Sequence, residues 1–559
     1  MDKPSQKASS WNSPIPEARW RGFRRAQRGV EAFKTLDSFE AAQLAELDEG
    51  LVEHEKKTLG RLLRRSKKIE IDVFIRSHGP NPIFNPQTEI DAHVGVAKAD
   101  TVHLNEPPSA EAHRAILKGE VVHVLFQAGE ASRFGQGPFY KLRPLSLSDS
   151  LSDSVDAAPF FDRIERAGKP LPPLVRQFLT DSEFGPKQPV MLRASIRRVI
   201  QAEVNAGRID WQDAVDAYQT SLKQQKLLFF VTSKSDLSEV HFSVLHDRYK
   251  FFGFDPANVV TVEQQLVRGV TADEDGNLSL SQHPDSIDAA GHLYALMQAA
   301  RAGDFTTYSE SGRPLKSQDT DGLAYLAGRG GEILNVIRIN DMDRHSTEIL
   351  NPKALSYALR MFEKGYVNVI ECVANPFGQK GGTGTTFGDP EIHVLTETHE
   401  NSFPSLSRAF EIALKEYLAR TGGQHPAYNA MRQFARLGPT RQALREFGGR
   451  IVFVPRQKEV NGEMISYLSV DMPMGDLSLL SHAYKSRMFQ FIGPHGRELQ
   501  IHDMKTVESL PVALRTIERQ IQDPHVVAAA REVLLGDTVE FEKNLPEPFL
   551  YGAPTPEFD

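Results

Sequence analysis

A glycine turn with two nearby cations follows the apolar run VVHVLF at 121–126. Gly129 lets the backbone bend and approach a ligand closely, because it has no Cβ. Backbone N–H groups in such a turn bind phosphate oxygens, and Arg133 and Lys141 would add positive charge. Ala128, directly before the glycine, belongs to the same turn. The segment predicts a phosphate-binding loop, and its alternative is a purely structural turn.

Two aspartates, Asp341 and Asp343, follow a second apolar run, ILNVIRIN at 333–340. Paired carboxylates are oxygen ligands for a hard cation such as Mg²⁺ or Mn²⁺, which phosphate substrates bring with them. The pair predicts a metal site, and its alternative is a helix N-cap or a solvated turn.

A lysine beside a glycine-rich stretch follows a third apolar run, VNVIECVA at 367–374. Lys380 precedes Gly381 and Gly382, which is the reverse of the order in a Walker loop. A flexible backbone next to one lysine suits a phosphoryl ligand, and the alternative is the tip of a glycine-rich hairpin. The three segments together have what nucleotidyl transfer from a nucleoside triphosphate requires. The sequence has no Ser–His–Asp pattern and no HExxH motif that would indicate hydrolysis.

Composition excludes several other classes of protein. The net charge of −8 gives no basic face for nucleic acid. One cysteine, Cys372, is too few for a disulfide framework or a zinc site built on thiolates. The polar N-terminus lacks a secretory apolar core, and no run of apolar residues is long enough for a membrane span. We therefore expect a cytoplasmic protein that binds neither nucleic acid nor membrane; the oligomeric state stays open.

Short apolar runs alternate with helical segments from residue 119 onwards. The runs are rich in β-branched residues and do not alternate with polar ones, which favours strands covered on both faces. The alternation predicts an α/β fold with a mainly parallel sheet, in which ligands bind at the carboxyl ends of the strands. The predicted strands are 121–126, 226–233, 258–264, 333–340, 367–374 and 391–397, and the predicted helices between them are 237–253, 291–303 and 351–365.

Three regions follow from this pattern. Residues 1–118 are predicted to be mainly helical, because Leu44, Leu47 and Leu51 recur at helical spacing. Residues 119–400 form the predicted α/β core. Residues 401–559 mix helical segments with an apolar run, RIVFVP, and give a mixed α/β C-terminal region.

Six segments between residues 119 and 400 resemble one enzyme family in their order. They are AGEASRFG with the following Lys141, FVTSKSD (230–236), FFGFDPANVVTVEQQLVRGV (251–270), AGHLYALM (290–297), NDMDRHSTEILNP (340–352) and QKGGTGTTFGDPEIHVLTE (379–397). The family is that of the UTP-dependent sugar-1-phosphate uridylyltransferases, which includes the UDP-glucose and UDP-N-acetylglucosamine pyrophosphorylases. The resemblance implies a Rossmann-like nucleotidyltransferase core.

The resemblance also implies roles for individual residues. Gln264 stands at the uracil-recognition position, and Gly291 with the neighbouring His292 stands where the family's glycine element meets the base. Glu371 stands where the family uses a glutamate towards sugar hydroxyls. Asp343 matches the metal-binding aspartate, helped by Asp341.

The implied reaction joins UTP to glucose or N-acetylglucosamine 1-phosphate and releases pyrophosphate. A sugar phosphate oxygen is already ionised, so it can attack the UTP α-phosphorus without a protein base. Arg133 and Lys141 would hold the triphosphate, Mg²⁺ would bridge phosphate oxygens, and Lys380 would screen repulsion between the two phosphates.

Two alternatives stay open. Asp341 and Asp343 also form a D-x-D motif, with which the related glycosyltransferases hold a metal and a UDP-sugar. The chain also departs from the family pattern: Ala131 replaces a glycine of the loop, Glu130 adds a charge there, and Arg344 replaces the family's asparagine. These departures favour a second alternative, a nucleotide-binding protein without catalytic activity.

Overall fold

The structure is a computed structural model that describes just under half of the chain. The described residues are 94–126, 144–146, 184–232, 250–264, 266–272, 278–283, 285–289, 291–303, 305–316, 319–337, 349–375, 382–387, 389–396, 404–446, 452–460, 463–471, 475 and 484–492.

Helices and strands account for most of these residues. The helices are α1 (Ala110–Leu117), α2 (Lys187–Asn205), α3 (Ala214–Gln224), α4 (His292–Ala299), α5 (Gly322–Gly328), α6 (Pro352–Glu363), α7 (Pro404–Arg420) and α8 (Leu437–Glu446). The strands are β1 (Val94–Val96), β2 (Asp100–His103), β3 (Val121–Phe126), β4 (Pro144–Ser146), β5 (Phe184–Pro186), β6 (Lys226–Thr232), β7 (Val259–Gln264), β8 (Leu266–Arg268), β9 (Val270–Ala272), β10 (Leu278–Leu280), β11 (Ile287–Ala289), β12 (Thr306–Tyr308), β13 (Pro314–Lys316), β14 (Ile333–Ile337), β15 (Asn368–Val373), β16 (Thr383–Phe387), β17 (Asp389–Thr396), β18 (Tyr428–Arg436), β19 (Val452–Val460), β20 (Glu463–Asp471) and β21 (Ser486–Ile492). None of the helices described is long and apolar enough to cross a membrane.

Most of the strands belong to one large sheet. Its order is β13-β12-β7-β6-β3-β14-β18-β15-β21-β2, and β1, β16 and β17 join it beside β18. The pairs β7–β6, β6–β3 and β3–β14 are parallel, as are β15–β21 and β21–β2. Because β18 is antiparallel to both β14 and β15, these two strands also run in the same direction. A four-stranded antiparallel sheet, β10-β9-β20-β19, lies outside the large one.

Helices cover both faces of the central strands. All six residues of β3 are buried, as expected for a parallel strand between two layers. One core cluster joins Val121 and Leu125 of β3 to Ile116 of α1, Ile196 of α2 and Leu355 of α6. It therefore fills the layer under α1, α2, α3 and α6.

The opposite face of the sheet packs against α4 and α5. A Cβ added at Gly322 of α5 would lie 3.2 Å from Val260 of β7, and one added at Gly331 would lie 2.6 Å from Val122 of β3. Val122 points away from the face on which Val121 lies, since successive side chains of a strand alternate. The central fold is therefore a helix–sheet–helix sandwich.

Local sequence signals start several of the helices. The Asn351 side chain accepts hydrogen bonds from the backbone N–H groups of Lys353 and Ala354, and Pro352 occupies the first helical position of α6. Ser109 caps α1 in the same way through the Ala112 N–H. These caps satisfy N–H groups that have no partner within the helix.

The predicted α/β class and parallel central strands agree with the structure. The apolar runs at 121–126, 226–233, 258–264, 333–340, 367–374 and 391–397 correspond to β3, β6, β7, β14, β15 and β17. The helices predicted at 291–303 and 351–365 correspond to α4 and α6. The helical stretch predicted in residues 1–93 and most of the one at 237–253 lie outside the described residues.

The large sheet also takes strands from the two flanking regions. β1 and β2 lie in the region predicted to be mainly helical, and they pair with β16 and β21. From the C-terminal region, β18 enters between β14 and β15, and β21 pairs with β15. The described part of the N-terminal region is therefore not wholly helical, and the sheet extends across both predicted boundaries.

A buried polar network lies within the central strands. Nε2 of His123 in β3 donates to Oε1 of Gln225 (3.1 Å), and Nδ2 of Asn335 in β14 donates to His123 Nδ1 (3.4 Å). The Gln225 amide is oriented because its Nε2 donates to the carbonyl oxygens of Ile116 and Ser221. The network therefore assigns the neutral Nε2–H tautomer to His123.

Complete burial disfavours the charged form of His123. The ring is fully buried, and the positive charge of nearby Lys226 acts in the same direction. Together they outweigh the hydrogen bond that the ring donates to Gln225, and they lower the pKa of His123 from 6.5 to about 4. The folded protein thus keeps this histidine neutral throughout the range in which an exposed histidine gains a proton.

Lys226 itself connects the ends of two helices. Its Nζ donates to the carbonyl oxygens of Gly119 (2.6 Å) and Gln224 (2.9 Å), directly after α1 and at the last residue of α3. A cation at two helix C-termini is favourable with respect to both helix dipoles. Gly119 has φ +62, and a Cβ there would lie 1.9 Å from the Gln224 oxygen, so this contact requires glycine.

We expect the stability of the protein to fall in mild acid because of His123. Unfolding restores a pKa near 6.5, so the unfolded chain takes up a proton between pH 6.5 and 4 that the folded chain excludes. This contribution is present above pH 6.5 and is lost as the pH falls towards 4. Between pH 7.5 and 5 the loss is about 2 kcal/mol.

Urea unfolding of the wild type and of His123→Gln at both pH values measures this effect. The wild type should lose about 2 kcal/mol more than the variant, since glutamine does not titrate. The comparison at pH 7.5, where histidine is neutral in both states, gives the packing cost of the substitution alone. Equal losses in the two proteins would contradict the assignment.

Candidate functional site

Successive strands of the chain are added to the sheet first on one side of β3 and then on the other. β6 and β7 follow β3 on one side of the sheet, and β14 is added on its other side. Leu125 of β3 lies beside Ile337, the last residue of β14, so the two carboxyl ends are level. Ligands of open α/β sheets bind in the crevice outside the carboxyl ends at such a switch point. This crevice is the candidate site.

The strands that precede the polar segments predicted to bind phosphate and metal end at this edge. Gly129 comes three residues after the end of β3, and Asp341 comes four residues after the end of β14. Seven predicted site residues lie outside the described residues: Ala128, Gly129, Arg133, Lys141, Asp341, Asp343 and Lys380. Their roles stay predictions, although the strands that lead to them are described.

Three predicted base-binding residues come together at the same edge. Gln264 is the last residue of β7, and its Nε2 donates to the carbonyl oxygen of Gly291 (3.4 Å). Gly291 precedes α4, and the next residue, His292, places its ring 4.4 Å from the ring of Phe126, centroid to centroid. Phe126 in turn stacks on Phe230 of β6 at 5.0 Å. The ends of β3, β6 and β7 and the start of α4 thus form one connected wall.

The backbone at Gly291 is suited to glycine alone. Its φ of +86° and ψ of 166° lie in a region that other residues rarely adopt. Gly291, which has no side chain, makes no side-chain cap hydrogen bond to α4.

Glu371 lies in β15 and is buried together with an arginine. Nη1 of Arg432 in β18 donates to Oε2 of Glu371 at 2.9 Å, and the two side chains are 4% and 2% exposed. The residues face each other across the strand pair. Sequence reasoning singled out Glu371 but missed Arg432, which lies 61 positions later in a segment without an apolar run.

The described residues on either side of the segment that carries Lys380 are held in place. Asn375, two residues after the end of β15, is buried, and the carbonyl oxygen of Gly382 accepts a hydrogen bond from the Asn429 N–H (2.7 Å). Both anchors lie at the carboxyl end of β15, where β18 begins. The described residues on either side of 376–381 therefore lie at the edge of the sheet that holds the candidate site.

Cys372 of β15 is not suited to act as a nucleophile. Burial, together with the negative charge of Glu371, raises the pKa of the Cys372 thiol well above its usual range, so it does not supply a thiolate. Within the described ranges, no group of three or more histidine, cysteine, aspartate or glutamate residues could hold a metal ion. The predicted aspartate pair lies outside those ranges.

Comparisons with known proteins give weak similarities to solved structures. No protein-family model matches the chain, and no curated protein sequence matches it. The chain is similar to the uridine diphosphate N-acetylglucosamine pyrophosphorylase from Trypanosoma brucei in complex with inhibitor, with 13% identity and a TM-score of 0.44, over 92% of this chain and 87% of that one. It is similar to a putative UDP-N-acetylglucosamine pyrophosphorylase from Entamoeba histolytica, with 13% identity and a TM-score of 0.42, over 71% and 80% of the two chains.

A third similarity is to the UDP-glucose pyrophosphorylase from Leishmania major, with 14% identity and a TM-score of 0.40, over 83% of this chain and 75% of that one. Similarities of this strength determine neither the fold nor the activity of this chain. The functional assignment therefore depends on the chain's own residues.

We expect Gly291→Ala to destabilise the protein by about 1–3 kcal/mol, because alanine must adopt a backbone conformation that its Cβ disfavours. Urea unfolding measures the change. Gly328→Ala, at the last residue of α5, is the matched control: Gly328 has no positive φ, and nothing lies within 4 Å of an added Cβ. The control should be neutral or slightly stabilising, and equal destabilisation by the two substitutions would contradict the prediction.

Proposed function

We propose that the chain is a uridylyltransferase that makes a UDP-sugar and pyrophosphate from UTP and a sugar 1-phosphate. The observation that carries the proposal is the parallel pairing of β3 with β14 at the switch point. The strand before the glycine turn and the strand before the aspartate pair are neighbours with level ends. Nucleotidyl transfer needs a triphosphate-binding turn and a metal-binding pair next to each other, as the turns after two neighbouring strands would be.

The uracil would lie against the wall at the end of β7. A glutamine amide carries both a donor and an acceptor, which suits the edge of uracil, and Gln264 is 5% exposed at the strand end. Its hydrogen bond to Gly291 connects it to the backbone over which a base would stack. His292 contacts Phe126, which leads directly into the glycine turn. The base and the triphosphate would thus bind to adjacent parts of one wall.

Catalysis on this proposal consists of positioning and charge neutralisation. A phosphate oxygen of the sugar 1-phosphate attacks the α-phosphorus of UTP, and pyrophosphate leaves. Arg133 and Lys141 hold the triphosphate, and Lys380 reduces the repulsion between the two phosphates as they approach. Asp341 and Asp343 offer the hard oxygen donors that suit Mg²⁺, and the bound ion would supply charge neutralisation at the phosphates.

The sugar would bind near the carboxyl end of β15. Glu371 lies two residues before the end of that strand and is the residue proposed to accept hydrogen bonds from sugar hydroxyls. The residue types fit either glucose 1-phosphate or N-acetylglucosamine 1-phosphate.

One second function has a specific observation in its favour. Asp341-Met342-Asp343 is a D-x-D motif, as in metal-dependent glycosyltransferases that use a UDP-sugar. Lys141 and Lys380 favour nucleotidyl transfer, because a glycosyltransferase releases no pyrophosphate for them to hold.

The direction of the chemistry distinguishes the two functions. The full chain is incubated with UTP, Mg²⁺ and a panel of sugar 1-phosphates, and released pyrophosphate is measured. A parallel incubation with UDP-sugars and sugar acceptors measures released UDP. Pyrophosphate release supports the proposal, and UDP release alone supports the glycosyltransferase. UTP binding by calorimetry without either product would indicate a nucleotide-binding protein, as Glu130 and Ala131 suggest.

We expect Lys141→Ala and Asp343→Ala each to abolish measurable turnover. Losing one charge contact to the transition state costs about 3–4 kcal/mol, or on the order of 10²–10³ in rate. Lys364→Ala is the matched control, because Lys364 is an exposed residue that follows α6. Turnover is measured as pyrophosphate release, with far-UV circular dichroism to verify folding. Near-normal turnover in either site variant would refute the assigned roles.

A further inference from the structure

The pair formed by Glu371 and Arg432 is unusual for its position. On the same face of the two strands, the preceding partners Val369 and Phe434 are apolar and fully buried. Burying two charges costs several kcal/mol per ion in lost hydration, and an apolar pair of similar volume is often as stable or more so. Stability alone therefore gives no reason for a charged pair next to Val369 and Phe434.

The pair also lies at an irregularity of the sheet. The register between β15 and β18 shifts directly after Glu371, where Cys372 pairs with Asn429 instead of Met431. Irregularities of this kind change the direction of a side chain and occur next to active sites. Asn429 is the residue that holds Gly382, at the end of the segment carrying Lys380. Two residues of β18 thus make these contacts: Arg432 contacts Glu371, and Asn429 contacts Gly382.

We propose that Arg432 is a positioning residue that holds the Glu371 carboxylate in the orientation needed to accept hydrogen bonds from the sugar. The proposal rests on the proposed function, which supplies the sugar substrate. Arg432 has no contact with substrate in this account and acts only through Glu371. The contact through which it acts is the hydrogen bond from Arg432 Nη1 to Glu371 Oε2 at 2.9 Å.

The test compares KM values of four full-length variants: Glu371→Gln, Arg432→Gln, Arg432→Lys and the double variant with both glutamines. We expect Arg432→Gln to raise KM for the sugar 1-phosphate about 10- to 100-fold, which corresponds to losing a hydrogen bond to a charged group. KM for UTP should not change, because the proposed base-binding residues Gln264 and Gly291 lie at β7 and α4, away from β15 and β18. Arg432→Lys should recover part of the loss.

The double variant tests whether Arg432 acts through Glu371. If it does, the double variant has the same KM for the sugar 1-phosphate as Glu371→Gln alone, because the two effects are not additive. Effects that multiply, or a rise in KM for UTP of equal size, would overturn the proposal. An active wild type whose Arg432→Gln variant keeps the wild-type KM values would also overturn it.

Controls separate positioning from folding. Arg487→Gln breaks a different ion pair, which is only partly buried. In it, Arg487 Nε and Nη2 donate to the two oxygens of Asp100 at 2.9 and 2.7 Å. It lies at the amino ends of β2 and β21 and should lower stability without changing either KM. The single thiol, Cys372, is 1% exposed beside Glu371, so its slow reaction with a thiol reagent verifies local structure in each variant.

The outcomes distinguish this proposal from the one it rests on. A wild-type chain that releases no pyrophosphate with any sugar 1-phosphate refutes the proposed function and this inference with it. An active wild type leaves the proposed function standing whatever Arg432 does. If Arg432→Gln does not fold, Arg432→Lys decides, and an unchanged KM for the sugar 1-phosphate in that variant refutes the positioning role.

Discussion

Parallel hydrogen bonding of β3 to both of its neighbours determines where the candidate functional residues leave the sheet. β3 pairs in register with β6 on one side and with β14 on the other, and all three strands point the same way. Carboxyl ends of parallel strands lie at one edge, so β3, β6, β7 and β14 all end there. The register of β3 therefore connects segments as far apart in the sequence as Val121 and Ile333.

A polar network within the central sheet supports that register. His123 connects β3 to Gln225, the residue before β6, and to Asn335 of β14. A slip of one residue in a strand moves its side chains to the opposite face. Such a slip would leave these buried polar groups without partners, which is costly in an apolar interior. The network thus favours the alignment on which the candidate site depends.

The sequence predicts the parts of the fold that have continuous apolar patterns. β3, β6, β7, β14 and β15 have runs such as VVHVLF and LLFFV, which indicate strands buried on both faces. β18 reads YNAMRQFAR and has no such run, because Arg432 and Gln433 are buried polar residues inside it. The strands that pair with β18 lie far away in the sequence, so local pattern alone could not identify it. The same limit applies to the candidate site: Gln264, Gly291 and Glu371 were found by motif order, whereas Arg432 is recognisable only once β18 is placed beside β15.

The insertion of β18 between β14 and β15 also constrains how the chain can fold as it is synthesised. β14 and β15 are made first, yet neither has its shared neighbour until residues 428–436 have emerged. β2 pairs even later, since its contact with β21 joins residues 387 positions apart. Contacts of such sequence separation form slowly, and unpaired strand edges are prone to aggregation while they wait. When β15 has been synthesised, β14 and β15 therefore each have an unpaired edge. These edges are paired only when β18 and β21, which come later in the chain, have been made.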